Sequence, residues 1–263
     1  TSQSGKNIFQ SRVMKRFIKV SVVFLYLALV QATAWAQGDS TAVEKDIRNI
    51  YKGKAYRAVS VHADIFSPFM GRIANKNINT FEFQADINLY DKLFPTVEAG
   101  LGNISVNLAG GQGYRASAPF VRLGMNYNLL NNATKEGTPR LIRSYPFLGV
   151  RYGIGVVDYA MTNVQYNSDY WQGSKTHDFA AKSTYAGWIE IVGGIRVDIY
   201  RGLTMGWSVR LKTAFHAKNK TQLWWTPGYG FTQGAQFAFN YTLGYTLRTK
   251  AERAKTATQT DRK

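Results

Sequence analysis

The sequence contains no cysteine, only 6 prolines in 263 residues, and no apolar run of the roughly 20 residues that a membrane-spanning helix needs. The lack of cysteine excludes disulfide frameworks, thiolate zinc sites, cysteine nucleophiles and a lipid anchor on an N-terminal cysteine. Few prolines beside 24 glycines favour many strands joined by turns over a disordered chain. If the mature chain enters a membrane, it must therefore do so as strands.

Acidic residues are also scarce, with 16 against 33 lysines and arginines, which gives a formal net charge of +17. A nucleic-acid partner would require these cations to cluster on one surface, because they must neutralise phosphates. They are instead spread through strands and loops. We therefore predict no nucleic-acid partner.

The N-terminal segment has the pattern of a secretory signal peptide. After Met14, the cations Lys15, Arg16 and Lys19 precede a short apolar run at 20–30 and the small-x-small site Ala34-Trp35-Ala36. We predict cleavage after Ala36. The predicted organisation is then an upstream extension plus signal peptide (1–36), a periplasmic leader (37–54), a β-barrel (55–248) and a basic periplasmic tail (249–263).

The mature chain alternates apolar and polar residues with the period of β-strands. In 79–90, five apolar residues from Phe81 to Leu89 alternate with Glu82, Gln84, Asp86 and Asn88. In 185–212 the alternation breaks at Tyr200-Arg201-Gly202 and then resumes, which predicts a hairpin. The predicted strands are 56–66, 79–90, 97–102, 121–129, 148–156, two strands within 185–212, and 237–247.

Two features indicate that the polar faces of these strands point inward. The predicted connections after the first, third, fifth and seventh strands are long, including 108–118, 158–184 and 214–230. Those after the second and sixth strands are tight, and the one after the fourth, 131–143, is intermediate, a pattern typical of outer-membrane barrels. The polar faces also combine glycines with long charged residues, a mixture that would fill a narrow lumen and would weaken a solvent-facing sheet. A soluble sandwich or a periplasmic lipocalin-like binding barrel, with the apolar faces inward, is the alternative.

The predicted fold is all-β: an eight-stranded antiparallel up-and-down transmembrane β-barrel with a polar lumen. Its inward charged residues are expected to pair with one another, because an unpaired buried charge is costly. We predict a lumen ion network made of Glu82, Asp86, Glu98, Arg122, Arg151, Glu190, Arg196 and Arg210.

The signal peptide, the eight alternating strands, the Arg/Glu-filled lumen and a last strand reading FAFNYTLGYTL together resemble the small outer-membrane β-barrel proteins of Bacteroidota, whose architecture is that of OmpX-like barrels and the OmpA membrane domain. The resemblance covers residues 56–248 and rests on architecture rather than on one motif. It implies a Gram-negative cell outer membrane, both termini in the periplasm, and insertion by the barrel-assembly machinery. This chain departs from the pattern by continuing as a basic tail to Lys263 after its last aromatic strand.

The three histidines are the main candidates for barrel-enzyme chemistry. We expect His62 to face the lumen, His177 to lie in a solvated loop and His216 to lie at a strand end. None has the spacing of a metal site or of a nucleophile with its base. We predict no catalytic residues, metal or cofactor, with an enzyme acting on lipid or peptide near the rim as the alternative.

The predicted function is a structural, envelope-maintenance or surface-binding role. An eight-stranded barrel is too narrow for a useful aqueous channel, which argues against a pore. Four loop aromatics are candidates for binding an extracellular protein or glycan, namely Tyr170, Trp171, Trp224 and Trp225, although they could equally pack together as a cap on the barrel mouth. Outer-membrane lipid and lipopolysaccharide are the other expected partners.

Overall fold

The computed structural model describes residues 54–68, 77–107, 111–130, 144–168, 173–200, 202–218, 220 and 222–249. The upstream extension, the signal peptide, and nearly all of the predicted leader and basic tail lie outside these residues. Every described residue belongs to one unit of the chain, Val43–Lys263.

The described residues form a closed antiparallel barrel of eight strands with a small additional sheet. The strands are β1 (Tyr56–Asp64), β2 (Ile78–Leu89), β3 (Leu93–Asn107), β4 (Gly113–Asn128), β5 (Tyr145–Ser168), β6 (Gly173–Tyr200), β7 (Leu203–Ala217), β8 (Trp225–Thr226), β9 (Gly230–Phe231) and β10 (Gln236–Arg248). The barrel order is β1-β10-β7-β6-β5-β4-β3-β2, and β8 pairs only with β9. The barrel closes where the last strand pairs with the first, as Val61 opposite Tyr245 illustrates. The predicted fold class is confirmed.

Side-chain burial along the strands agrees with the prediction that the polar faces point into the barrel and the apolar faces point outward. On β2, Phe81 and Phe83 are 58% and 61% exposed, whereas Glu82 between them is 5% exposed. Successive residues of a strand point to opposite faces, so this alternation places one whole face in the lumen. An apolar outer wall around a polar lumen is the distribution of transmembrane barrels.

The predicted long loop 158–184 is wrong, because most of it continues β5 and β6. These strands pair up to Ser168 opposite Gly173, so the connection is only 169–172. The extension contains two irregularities in pairing, and Asn163 and Ser183 adopt positive φ. Bulges interrupt the two-residue period of the side chains, and both faces of these segments carry polar residues. The sequence of this extension of β5 and β6 therefore lacks the alternation of a strand and resembles that of a loop.

The predicted loops 108–118 and 214–230 are also too long. β4 begins at Gly113. Its first residues are mostly small, such as Ala116 and Ser117, so its two faces differ little in hydropathy and the strand pattern is weak there. β7 continues to Ala217. The remaining connection between β7 and β10 contains the β8–β9 hairpin.

The two ends of the barrel differ in their connections. We call the end that carries the β1–β2, β3–β4, β5–β6 and β7–β10 connections the loop end, and the opposite end the turn end. The predicted alternation of connection length does not hold throughout, because 129–144 at the turn end is longer than 169–172 at the loop end. Within the described segments, no helix combines the length and hydropathy needed to cross a membrane.

Candidate functional site

The middle of the lumen is filled by three glutamates and three arginines from six strands, all nearly or fully buried. We call this set the central cluster: Glu82, Glu98, Arg122, Arg151, Glu190 and Arg210. The inward positions of β2, β3, β4, β5, β6 and β7 bring these residues together, since neighbouring strands place their polar faces on the same side. All eight residues predicted for the lumen ion network are in the lumen, and six of them form this cluster.

Glu98 contacts all three arginines of the central cluster. Its carboxylate accepts hydrogen bonds from Arg122 Nη1 at 2.9 Å, Arg151 Nε at 3.0 Å and Arg210 Nη1 at 2.5 Å. A carboxylate so surrounded has its negative charge compensated without water, which a buried ionised group requires. Glu98 is therefore the hub of the cluster.

The two other glutamates link the arginines across the lumen. Glu82 lies 2.8 Å from Arg122 and 3.0 Å from Arg210. Glu190 lies 2.8 Å from Arg122 Nε and 3.2 Å from Arg210 Nη1, and it also accepts a hydrogen bond from Trp188 Nε1 at 2.7 Å. Arg122 and Arg210 therefore each pair with glutamates from β2, β3 and β6. Because these strands lie on different sides of the lumen, the ion pairs connect opposite walls of the barrel.

The remaining two predicted network residues form a separate group. Arg196 Nη1 donates to both carboxylate oxygens of Asp86 at 2.8 Å, and to Tyr145 Oη at 3.3 Å. His62 Nδ1 lies 3.5 Å from Asp86, and its Nε2 lies 3.0 Å from the Thr204 hydroxyl. Asp86 therefore contacts Arg196 and His62, which in turn contact Tyr145 and Thr204, in a polar group distinct from the central cluster.

Lumen glycines make room for large inward side chains. A Cβ on Gly153 would lie 2.2 Å from Trp188 Cε2, and one on Gly100 would lie 2.3 Å from Phe120 Cζ. Trp188 and Phe120 are buried, and both belong to an apolar cluster that fills the loop end of the lumen. The glycines thus permit aromatic packing inside a narrow barrel.

The connection between β7 and β10 folds back over this apolar cluster, and we call residues 222–235 the cap. At its tip, the Gly228 carbonyl accepts hydrogen bonds from Arg122 Nη2 at 2.9 Å and Lys212 Nζ at 2.6 Å. Gly228 has a φ of 79°, and a Cβ there would lie 2.8 Å from Phe120 Cγ. The tip therefore reaches the central cluster, in a backbone conformation and a space that suit glycine.

Aromatic side chains attach the rest of the cap to the barrel wall. Tyr229 packs between Phe215, at a centroid distance of 4.7 Å, and Trp188, at 6.0 Å. The Tyr114 hydroxyl donates to the Trp225 carbonyl at 2.9 Å and accepts from the Trp225 backbone N–H at 3.2 Å. These contacts close the lumen from the loop end.

Replacing Tyr114 with phenylalanine is expected to lower the free energy of unfolding by about 1–3 kcal/mol, because the buried Trp225 backbone groups lose their partner. Denaturant titration followed by tryptophan fluorescence measures the change. Tyr127→Phe on the exposed outer wall of β4 is the matched control, with an expected change within about 0.5 kcal/mol. Equal losses in both variants would contradict the attachment of the cap through Tyr114.

The structure corrects part of the predicted set of loop-binding residues. Trp225 belongs to the cap and is 4% exposed, so its side chain packs into the apolar cluster of the lumen and is not available to an extracellular partner. Trp224 is partly buried and makes edge contacts with Tyr114 and Phe231 at 5.5 Å. These two tryptophans instead agree with the alternative that the loop aromatics pack together as a cap on the barrel mouth. Tyr170 and Trp171 lie outside the described residues.

The histidines occupy three different environments. His62 is buried in the lumen, as expected. His177, which the sequence placed in a loop, is exposed on β6 and packs edge-on against Phe179 at 4.9 Å. His216 lies on the outer wall, 3.2 Å from the Tyr152 hydroxyl.

The cap and its anchors are the main part of the lumen that the sequence did not assign. Lys212 follows the same inward alternation as Arg210, so its position could have indicated a lumen role. Trp188 and Tyr114 are also inward, but aromatic residues on a polar face do not by themselves indicate what they contact. Only the fold shows that the cap meets them.

These features define an eight-stranded β-barrel with an apolar outer wall and a lumen closed by paired charges and a cap. The family model described as "Domain of unknown function (DUF6048)" matches residues 13–250. The chain belongs to that family.

Among solved structures, the chain is similar to the N-terminal β-barrel domain of Pseudomonas aeruginosa OprF, determined by crystallography. The two share 9% sequence identity with a TM-score of 0.37, over 73% of this chain and 99% of that one. A search of curated proteins finds no match to this sequence.

Proposed function

We propose that this protein is an outer-membrane β-barrel of a Gram-negative envelope, with a structural or surface-binding role and no catalytic one. In this proposal the turn end and both termini face the periplasm, and the loop end faces the exterior, as in the small barrels of Bacteroidota that the sequence resembles. The barrel-assembly machinery inserts it. The observation that carries the proposal is the inverted wall, apolar outside and charged inside.

The energetics of the two faces support membrane insertion. Leu101, Leu123 and Val150 are more than half exposed on the outer wall, and this surface is unfavourable in water but not in hydrocarbon. The backbone groups of a closed barrel are paired all around, which hydrocarbon requires. The charged lumen is compatible with the membrane because its carboxylates and guanidinium groups neutralise one another.

Cell fractionation combined with gel migration tests the proposal. We expect the protein in the detergent-extracted outer-membrane fraction, and we expect unboiled protein to migrate differently from boiled protein because the folded barrel resists the detergent. Recovery from the soluble periplasm without detergent would contradict the membrane location and favour a soluble barrel.

The closed lumen supports a binding or structural role over transport. Arg122 and Lys212 both hold the Gly228 carbonyl of the cap, and the central cluster occupies the space below it. We therefore expect planar bilayers containing the purified protein to show conductance close to background. Stable channels well above background would show that the lumen opens.

Among the described residues, the β5–β6 extension and the outer part of the cap lie beyond the apolar wall at the loop end. We propose that these surfaces contact an extracellular protein or glycan. Pull-down with the intact protein and with a variant lacking 163–178 tests this role. Loss of the captured partner in the shortened variant, with folding retained by gel migration, is the expected result, and unchanged capture would exclude the extension.

A further inference from the structure

Three side chains form a polar cluster on the outer wall, where apolar residues otherwise predominate. We call this the wall cluster: Tyr152 on β5, Tyr185 on β6 and His216 on β7. The Tyr152 hydroxyl lies 3.1 Å from the Tyr185 hydroxyl and 3.2 Å from His216 Nε2. The His216 ring stacks on Tyr152 at a centroid distance of 6.2 Å, and its Nδ1 lies 3.3 Å from the Ala214 carbonyl.

A β-bulge directs His216 into this cluster. Along β7, odd-numbered residues face outward as far as Thr213, after which Phe215 turns inward and His216 outward. The pairing shows the cause, because Ile189 lies opposite Thr213 whereas Gly187 lies opposite His216, and Ala214 in between has a φ of 52°. A positive φ at a non-glycine residue costs about 1–3 kcal/mol, and such strain concentrates at binding sites.

Gly187 forms the floor of the wall cluster. A Cβ on Gly187 would lie 2.5 Å from His216 Nε2 and 2.9 Å from the Tyr152 hydroxyl. The glycine thus leaves a notch in the wall into which the polar atoms point. An aromatic girdle, the simpler explanation for wall tyrosines, requires neither a bulge nor this notch.

The wall cluster lies at the margin of the apolar wall nearest the loop end. Tyr185 pairs with Val156, an apolar outward residue of β5, and the outward residue that follows it is the charged Asp158. Exposed lysines occupy neighbouring positions, with Lys218 two residues beyond His216 and Lys182 three residues before Tyr185. In a membrane, this margin is at the depth of the lipid headgroups of the outer leaflet.

From this arrangement we propose that the wall cluster binds the phosphate group of an outer-leaflet lipid. Phenol hydroxyls and imidazole N–H groups donate hydrogen bonds to phosphate oxygens, and Lys182 and Lys218 supply the positive charge that favours a phosphate monoester. The lipid chains then lie along the apolar wall below Tyr185. This inference rests on the proposed location in the outer membrane.

Native mass spectrometry of the full-length protein released from detergent micelles tests the site. The probes are phosphatidic acid and diacylglycerol with the same acyl chains, which differ only in the phosphate. We expect the wild type to retain phosphatidic acid more tightly than diacylglycerol, and the double variant Tyr185→Phe/His216→Gln to bind phosphatidic acid about tenfold more weakly, since the Tyr185 hydrogen bond to a charged group is lost and a flexible amide replaces the imidazole. Diacylglycerol binding should be unchanged.

The matched control is Tyr127→Phe/His177→Gln, which removes a wall tyrosine near the turn end and an exposed histidine of β6, and which should retain wild-type affinity. Gly187→Ala is an independent variant, because its methyl group displaces His216 without removing any polar group, and it should weaken binding similarly. Gel migration confirms that each variant is folded.

Three results would overturn the inference: equal affinity of wild type and double variant for phosphatidic acid, an equal loss in the control, or displacement of phosphatidic acid by inorganic phosphate at the same concentration. The last result would assign the cluster to a free anion. Failure of this inference and failure of the proposed function are distinguishable. Cell fractionation tests only the outer-membrane location, whereas mass spectrometry of the purified protein tests only the binding of the lipid phosphate.

Discussion

Replacing Glu98 with glutamine is expected to lower the free energy of unfolding by about 3–5 kcal/mol, the largest loss expected for any single change in the lumen. Glutamine preserves the volume but removes the charge that compensates Arg122, Arg151 and Arg210. Arg122 and Arg210 would keep Glu82 and Glu190, whereas Arg151 would lose its ion pair with Glu98. Denaturant titration of the barrel in phosphatidylcholine vesicles, followed by tryptophan fluorescence, measures the loss.

Two further variants show whether the loss arises from the cluster. Asp178→Asn alters an exposed carboxylate of β6 that accepts a hydrogen bond from the Asn163 backbone, and the change should be within about 0.5 kcal/mol. Glu98→Gln combined with Arg210→Gln should cost less than the sum of the single variants, because the second change removes one uncompensated cation. A loss for Glu98→Gln no larger than that for Asp178→Asn would show that the central cluster does not hold the barrel together.

Replacing Val150 with arginine is expected to lower the free energy of unfolding in a bilayer by about 2–4 kcal/mol. Val150 is 57% exposed on the outer wall of β5, with Met125 and Ile191 as its neighbours on the adjacent strands. In lipid, the guanidinium group would lie in hydrocarbon, whereas in water it would be harmless. The substitution therefore distinguishes the two environments of the wall.

Ala180→Arg, at an exposed position on the extension of β6, is the control for Val150→Arg and should change the unfolding free energy by less than about 0.5 kcal/mol. Both variants are titrated in the same vesicles. Equal, small effects at the two positions would mean that the outer wall faces water, contrary to the membrane location.

The barrel and its lumen were accessible to sequence analysis because of one property, the two-residue period of strands. Phe81, Glu82 and Phe83 already show which residues share a face, and the scarcity of room in a narrow barrel explains why glycines accompany the charges. The central cluster follows from this alternation once the strands are in register. The sequence could not indicate that Glu98 would be its hub, because that depends on distances across the lumen.

Features that interrupt the two-residue period of the strands could not be predicted from the sequence in this way. The bulges near Asn163 and Ser183 concealed the extension of β5 and β6, and the bulge at Ala214 reversed the orientation of His216 relative to a regular strand. The cap is a longer-range case, since the approach of Gly228 to Arg122 and Lys212 joins segments that no local pattern relates. Both the cap and the wall cluster therefore required the structure.

The outer wall of the barrel is expected to face lipid, and spin labels on single cysteines test this orientation directly. The chain has no native cysteine, so each introduced one is a unique attachment site. Labels at the outward positions Leu148, Val150 and Ile154 of β5, in phosphatidylcholine vesicles, should collide with oxygen more often than with a water-soluble nickel chelate, and a label at Ala180 should show the reverse. Nickel collision rates at the three β5 positions as high as at Ala180 would contradict the account.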